Sequence, residues 1–517
     1  MSEWTSGYVS EVDYTHGYYR ELSPPLLSLA LLNRGVNAGP SRPLRYLELG
    51  FGQGLSLNIH AAACPGEFWG TDFNPGQAAN AKEMAEASGS GARIFDLSFE
   101  ELAARDDLPE FDVIALHGIW SWISDQNRKV IVDLARRKLA VGGVLYISYN
   151  CTPGWSPAMP LRHLMTLQAE LAGSDALGMT GKIDAALNFT QKVIDSGALY
   201  FRANPAVAER LKKIKDQNRQ YLAHEYFNRD WLPMPFSQVA EYLGGAKLTF
   251  AASASLLDQV DEVCLTAEGR QLLGEIGHPL LRESVRDYFV SQQFRKDIFF
   301  KGPRPLSVLE RFDRVRNLGF ILVTPAAAVP MKLAGPIGEV TLQEPVYKPL
   351  LEIMAENGYA PKTVKQILAH PLWNQQPLPM LVQSLVVLTG AGHLYPVQEP
   401  ELVKAAQPRC RKLNSYLCKR ARDSNEIAFL ASPVTGGGIP VARFAQLFLL
   451  ARHSGKKQLG DWVTFAWELL SSQGQRLLKD GKAIESAEEN IAELTAQAKV
   501  FSDTHLPILK ALGIAHD

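Results

Sequence analysis

The 517-residue chain predicts an α/β fold: a doubly wound, mostly parallel sheet near the N-terminus, a helical insertion in it, and a mostly helical C-terminal region. Three observations carry this expectation. Short apolar runs alternate with helical patterns from Arg45 to Tyr149, the signature of a parallel sheet covered on both faces. A long helical stretch follows before two more strand-like runs. After Gly302 the character changes to helix, beginning at a proline-rich zone with Pro303 and Pro305. At about 150 residues per domain the chain is long enough for roughly three units.

The strand runs are RYLELG, EFWGTDF, ARIFDLS, FDVIALHG and VLYISY, in that order. Between them lie LSLNIHAAA, PGQAANAKEMAEA, EELAARD and a helical pattern from about Asp125 to Ala140. Asn74 before Pro75 is a helix start, since proline at the first helical position gives up an N–H that has no partner there. Ser98 and Glu101 have capping-box spacing. From Leu161 to Asn228 the pattern is helical, with a basic run, RLKKIKDQNR, at 210–219 that reads by default as a solvated helix face. AKLTFAAS at 246–253 and DIFFKG at 297–302 are expected to complete the sheet.

Composition narrows the function classes. Lys plus Arg is 53 and Asp plus Glu is 54, a balance that offers no global attraction for nucleic acid or an anionic membrane. The five cysteines, at 64, 151, 264, 410 and 418, form no C-x-x-C pair, so neither a disulfide framework nor a zinc site is expected. No stretch approaches the ~18 apolar residues of a membrane span, and the first residues lack a signal-peptide pattern. A cytoplasmic enzyme without a metal is the expectation.

The first strand ends in Glu48-Leu49-Gly50-Phe51-Gly52-Gln53-Gly54. Glycines at 50, 52 and 54 allow positive φ and close approach of a ligand to backbone, and a helix N-terminus that attracts anionic groups follows. Leu55 stands where a dinucleotide fingerprint has its third glycine. Taken alone, the loop is also what a tight βα turn requires. Asp72 closes the second strand, where a carboxylate can accept from both hydroxyls of a ribose. Asp96 closes the third, where it can accept from an adenine amino group, with the Leu97 N–H facing a ring nitrogen. Each acid alone can also be read as a helix cap; their order on successive strand ends is what favours an adenosyl ligand.

This combination resembles the class I S-adenosylmethionine-dependent methyltransferases, whose sheet is Rossmann-like. The resemblance implies that Glu48 and the Gly50–Gly54 loop hold the methionine part of S-adenosyl-L-methionine, Asp72 the ribose, and Asp96 and Leu97 the adenine, with Phe73 on the adenine face. His117-Gly118 would lie beside the sulfonium, and Gly142-Gly143 before strand five matches the family's Gly-Gly turn. A narrower likeness is to methyltransferases with a regulatory domain, which include bacterial protein-lysine methyltransferases acting on outer-membrane proteins. It rests on Asp13-Tyr14-Thr15-His16-Gly17-Tyr18-Tyr19, Ser148-Tyr149-Asn150, Pro153-Gly154-Trp155, Tyr221-Leu222-Ala223-His224-Glu225-Tyr226-Phe227 and Phe294-Arg295-Lys296-Asp297. It covers roughly residues 10 to 305.

The resemblance divides the chain into an N-terminal lid (1–40), a cofactor-binding domain (41–160 and 236–305), a regulatory insertion (161–235), a helical or winged-helix-like middle domain (306–400) and a helical C-terminal domain (401–517). Tyr14 and Tyr18 are expected over the cofactor. His224, Tyr226 and Tyr18 are the candidate catalytic groups, since a histidine is poised near neutral pH; a lone histidine is equally a structural one, which is the reading for His60. Trp120, Trp122, Tyr149 and Trp155 follow strands four and five, where an aromatic channel for the acceptor would open; each is equally core packing. Two acceptors stay open: a lysine amine of a protein, or a small molecule methylated on O, N or C. A homodimer is compatible. The C-terminal cluster Arg409, Arg411, Lys412, Lys419, Arg420 and Arg422 offers a surface for a protein partner, whereas the neutral whole-chain charge argues against nucleic acid.

Overall fold

A computed structural model describes residues 15–37, 43–174, 176, 178–373, 376–479 and 481–516. Tyr14, expected over the cofactor, lies outside the described residues.

Seven strands form the main sheet: β1 (Leu44–Leu49), β2 (Gly66–Thr71), β3 (Arg93–Phe95), β4 (Phe111–Leu116), β5 (Leu139–Asn150), β6 (Leu248–Ser253) and β7 (Phe294–Lys301). Their order is β3-β2-β1-β4-β5-β7-β6. The first five are parallel, and β7 runs antiparallel to both β5 and β6. The order reverses between β1 and β4, and that switch point is where open α/β sheets bind ligands beyond the carboxyl ends of their strands. Strands buried on both faces read as continuous apolar runs, as β4 does: all six of its residues are buried.

The helices that start near that rim are α1 (Pro24–Asn33), α2 (Leu55–Ala63), α3 (Pro75–Ser88), α4 (Phe99–Ala103) and α5 (Asp125–Lys138). Asn74 caps α3 by accepting from the N–H groups of Gly76 and Gln77, and Ser98 and Glu101 form the expected capping box on α4. A correction concerns Gly142-Gly143. They lie inside β5, which begins at Leu139, rather than in a turn before it, because the strand keeps pairing with β4 through a register shift between Phe111 and Val113.

The insertion after β5 comprises α6 (Met159–Leu171), α7 (Gly178–Asp195), α8 (Leu199–Ala203), α9 (Pro205–Lys215) and α10 (Arg219–Tyr226), with its own apolar core around Leu161, Ile183, Leu211 and Leu222. A further helix, α11 (Phe236–Gly244), leads back into β6. The basic run at 210–219 behaves as a helix face: Lys212 pairs with Glu209 and Arg219 with Asp184.

Beyond residue 305 helices predominate, joined by a three-stranded sheet of Gly319–Leu322, Lys362–Thr363 and Leu394–Pro396 and several hairpins. This region shares one apolar core with α1, α2 and one face of the sheet. The helix Pro400–Arg420 lies on α2 and α3, with Cys410 and Leu413 fully buried. Arg420 of the C-terminal basic cluster is spent within the molecule, donating to Asn80 Oδ1 on α3 at 2.7 Å. The turn-rich TGGGIP segment closes a hairpin between Phe429–Ser432 and Gly437–Pro440.

Candidate functional site

The rim of the sheet at the switch point opens into a cavity of about 620 Å³. Its floor is the glycine turn. Gly50, Gly52 and Gly54 all have positive φ, at 70°, 58° and 75°, which explains the glycines, since other residues rarely adopt this region. Gly50 and Gly52 line the cavity; Gly54 instead sits at the N-cap of α2, where a Cβ would come within 2.4 Å of the Ala81 Cβ.

Two acids meet above this turn. Asp72 Oδ2 accepts the Gly52 N–H at 2.8 Å and Oδ1 accepts the Asn74 N–H at 3.0 Å. Each carboxylate oxygen has a further lone pair, and the residue lines the cavity. Burial pushes its pKa up to about 6, against the pull of those two N–H groups. Glu48 is only 3% exposed. Burial pushes it up to about 8; the Tyr46 hydroxyl, 3.4 Å away, opposes this and the negative Asp72 adds to it. A buried acid with no cation beside it is best neutral, and a cationic group delivered there would restore its charge. The turn, Glu48 and Asp72 therefore fit the methionine and ribose parts of S-adenosylmethionine.

At the third strand the structure corrects two details. The Leu97 N–H, expected to face a ring nitrogen, donates to Thr71 Oγ1 at 3.2 Å, while the Thr71 hydroxyl donates back to the Leu97 carbonyl. Asp96, expected at the adenine amino group, turns toward Lys82 at 3.5 Å, half exposed, and is not among the lining residues. β3 is only three residues long, and the residues just beyond it bond to β2 and to α3 instead of facing the cavity. Phe73, Leu97, Ser98, Phe99, Glu100 and Glu101 form this wall.

His117 follows β4 and lines the cavity. Its Nδ1 lies 2.8 Å from the Tyr146 hydroxyl, and the Tyr19 ring stacks on it at 3.8 Å and 27°. Burial, assisted by Lys296, lowers its pKa to about 3, so it is neutral and serves as a flat wall.

Among the proposed lid and catalytic residues the structure separates neighbours. Tyr18 does not reach the cavity. Its hydroxyl accepts the Gly438 N–H at 2.6 Å and lies 3.2 Å from His60 Nε2, so it joins the C-terminal hairpin to α2. Tyr19, whose backbone is extended, sends its side chain to the opposite side and lines the cavity in its place. His60 is buried and structural as expected. On α10, His224 lines the cavity and Tyr226 does not; Tyr226 packs edge-on against Trp155.

Of the four aromatics expected in an acceptor channel, only Trp122 lines the cavity. Trp120 is fully buried against Tyr242 and Arg128. Tyr149 donates to Asp297 at 2.7 Å within the sheet. Trp155 donates to Asn150 and meets Trp231 edge-on inside the insertion's core.

The chain's own pattern held further signals. His224 and Glu225 on the last turn of α10 and Asn228 just beyond it line the cavity, with Asp230 and Gln77. The lining contains six carboxylates, Glu48, Asp72, Glu100, Glu101, Glu225 and Asp230, and no Lys or Arg among the described residues. Against a chain with 53 basic and 54 acidic residues, that concentration favours cations over anions in the cavity.

Comparisons with known proteins agree with this geometry. A family model described as a methyltransferase domain matches residues 47–143, and one described as a predicted methyltransferase regulatory domain matches residues 218–301. The protein sll1526 of Synechocystis sp. is 42% identical over 515 residues, covering 99% of this chain and 100% of that one. RP028 of Rickettsia prowazekii is 27% identical over 222 residues, covering 42% of this chain and 85% of its own. Among solved structures, PKMT2 from Rickettsia typhi in complex with AdoHcy superposes with a TM-score of 0.70 at 18% identity, over 96% of this chain and 99% of that chain, a likeness of fold.

Proposed function

The chain belongs to the S-adenosylmethionine-dependent methyltransferases that carry the methyltransferase regulatory domain, and from that premise we propose that its acceptor is the amine of a lysine in a polypeptide. The carrying observation is the cavity wall: six carboxylates, the Tyr19 and Trp122 rings and no Lys or Arg among the described lining residues. Such a wall draws an ammonium and repels the phosphates of a nucleic acid. Aromatic faces suit an amine that becomes a methylated cation.

Bound S-adenosylmethionine supplies a methyl group on a positively charged sulfur. The protein supplies alignment and exclusion of water. Glu48 and the turn from Gly50 to Gly52 hold the amino-acid end, Asp72 the ribose, and Phe73, Leu97 and Phe99 the base. Tyr19 and His117 form a flat wall over the turn. A lysine has a pKa of about 10.4, so its ammonium must give up a proton before the nitrogen can accept methyl.

The fold shared with PKMT2 along nearly the whole chain supports a macromolecular acceptor, since the helical extension is then part of the common plan. A metabolite acceptor is the second reading, since the insertion helix α10, which lines the cavity, can equally roof a small pocket. We place the enzyme in the cytoplasm on its five buried free thiols; no helix among the described residues is long and apolar enough to cross a membrane. Incubation with labelled cofactor and a bacterial lysate, followed by mass spectrometry of protein and small-molecule fractions, tests the proposal. Label on lysine is expected; label confined to small molecules overturns it.

A further inference from the structure

Resting on that reading of the acceptor, we propose that Glu225 receives the acceptor's ammonium and takes its proton. Five of the six carboxylates in the wall have other partners or another place. Asp72 is held by two backbone N–H groups, Glu48 faces the Tyr46 hydroxyl, and Glu101 is engaged in the capping box of α4. Glu100 lies on α4 beside it, at the base end, and Asp230 pairs with Arg229 at 3.3 Å. Glu225 makes no hydrogen bond or ion pair among the described residues, although it is partly buried and lines the cavity.

Its origin in the fold is as telling as its isolation. The carboxylates assigned to the cofactor, Glu48 and Asp72, sit at the ends of β1 and β2, whereas Glu225 enters from α10 of the insertion. It thus meets the cavity from a different element than the groups that hold the adenosyl moiety. The titratable and charged groups around it are Tyr221, His224 and Tyr226 on its own helix, Arg210 on α9, Asp230 beyond it and Tyr19 from the N-terminal segment. Arg210 lies over the Trp155 ring at 4.0 Å and donates to the Tyr226 hydroxyl at 3.5 Å, and it does not line the cavity, so no Lys or Arg among the described lining residues competes for the Glu225 charge. Burial pushes its pKa up to about 7, which matches a proton acceptor working near neutral pH.

The step balances simply. The Nζ–H bond of the ammonium breaks, an O–H bond forms on the Glu225 carboxylate, and the electron pair stays on Nζ as the lone pair that accepts methyl. The proton leaves Glu225 for solvent once the product departs. His224 remains a wall residue beside it.

The experiment begins with the methylated lysine found in the labelled lysate. If no lysine is labelled, the reading of the acceptor fails, and the Glu225 assignment falls with it. If one is, a synthetic peptide spanning that lysine serves as the probe for wild type, E225Q and E225A, each first titrated with S-adenosylhomocysteine to confirm an intact cofactor site. E225Q is expected to lose about a hundredfold in kcat/KM for the peptide near pH 7. The loss should shrink as pH rises toward the lysine's own pKa, and the wild-type inflection near neutral pH should vanish. With S-adenosylhomocysteine present, wild type should bind the lysine peptide more tightly than the same peptide carrying norleucine, and E225Q should lose that preference. Wild-type kcat/KM and pH profile in E225Q, or an unchanged preference for lysine over norleucine, would overturn the assignment while leaving lysine methylation standing.

Discussion

The Gly52 N–H donates to Asp72 Oδ2 at 2.8 Å, tying the turn after β1 to the end of β2. One carboxylate therefore both shapes the glycine turn and lines the cavity, so the floor and the wall beside it are set together.

That coupling makes Asp72→Ala a demanding test. Loss of the acceptor strands two backbone N–H groups and two ligand hydroxyls, and S-adenosylhomocysteine affinity should fall by about 1–3 kcal/mol. Calorimetric titration measures it; unchanged affinity would refute the ribose assignment.

Glu48 predicts a pH dependence of cofactor binding. Its pKa of about 8 in the free protein drops when a cationic amino group binds beside it, so binding releases a proton between the lowered pKa and about 8. Affinity for S-adenosylmethionine should therefore climb with pH through neutrality and level off above about 8. Titrations across pH, in buffers of different ionisation enthalpy, measure both the slope and the proton. In E48Q the slope should flatten, and a wild-type affinity independent of pH would sink the idea. The same raised pKa lowers stability as pH rises from the ordinary carboxylate range to about 8, because the folded state there holds a proton the unfolded state has released.

Tyr18→Phe separates a lid from a structural joint. The hydroxyl it removes is the acceptor for the buried Gly438 N–H. Unfolding stability should drop by about 1–3 kcal/mol while cofactor affinity stays near wild type, as read by denaturant titration and ligand titration together. A large loss of affinity with full stability would return Tyr18 to the site.

Arg295 tests the sheet behind the site. Its side chain, 6% exposed, reaches Asp297 at 2.8 Å, Asp287 at 2.5 Å and Glu283 at 3.1 Å. Arg295→Met leaves those acids buried without their cation and should destabilise the fold by about 3–5 kcal/mol. A denaturation midpoint within experimental error of wild type would show that the network relaxes without it.

The sheet, its parallel majority, the insertion after β5 and both helix caps were legible along the chain, because each rests on local periodicity or on a turn residue whose chemistry is local. The same holds for Glu48, Gly50, Gly52 and Asp72, which strand-end placement alone brings to one rim. The choice between neighbours was not legible. Tyr18 and Tyr19 differ only in which side of an extended segment they occupy, and that side is fixed by a hairpin lying 420 residues further along. Tyr226 and Glu225 differ by one position on α10, and the helix's rotation depends on packing against Trp155.

What the sequence by itself determined is therefore the α/β scaffold and the acidic, glycine-lined rim where its first strands end. Only the tertiary structure decided that the Leu97 N–H is taken by Thr71, that a single tryptophan of the expected channel reaches the cavity, and that an insertion helix brings Glu225 to it. Periodicity specifies which face of an element is apolar; which neighbour covers that face, and which polar group is left open to a ligand, follows from contacts between segments far apart in the chain.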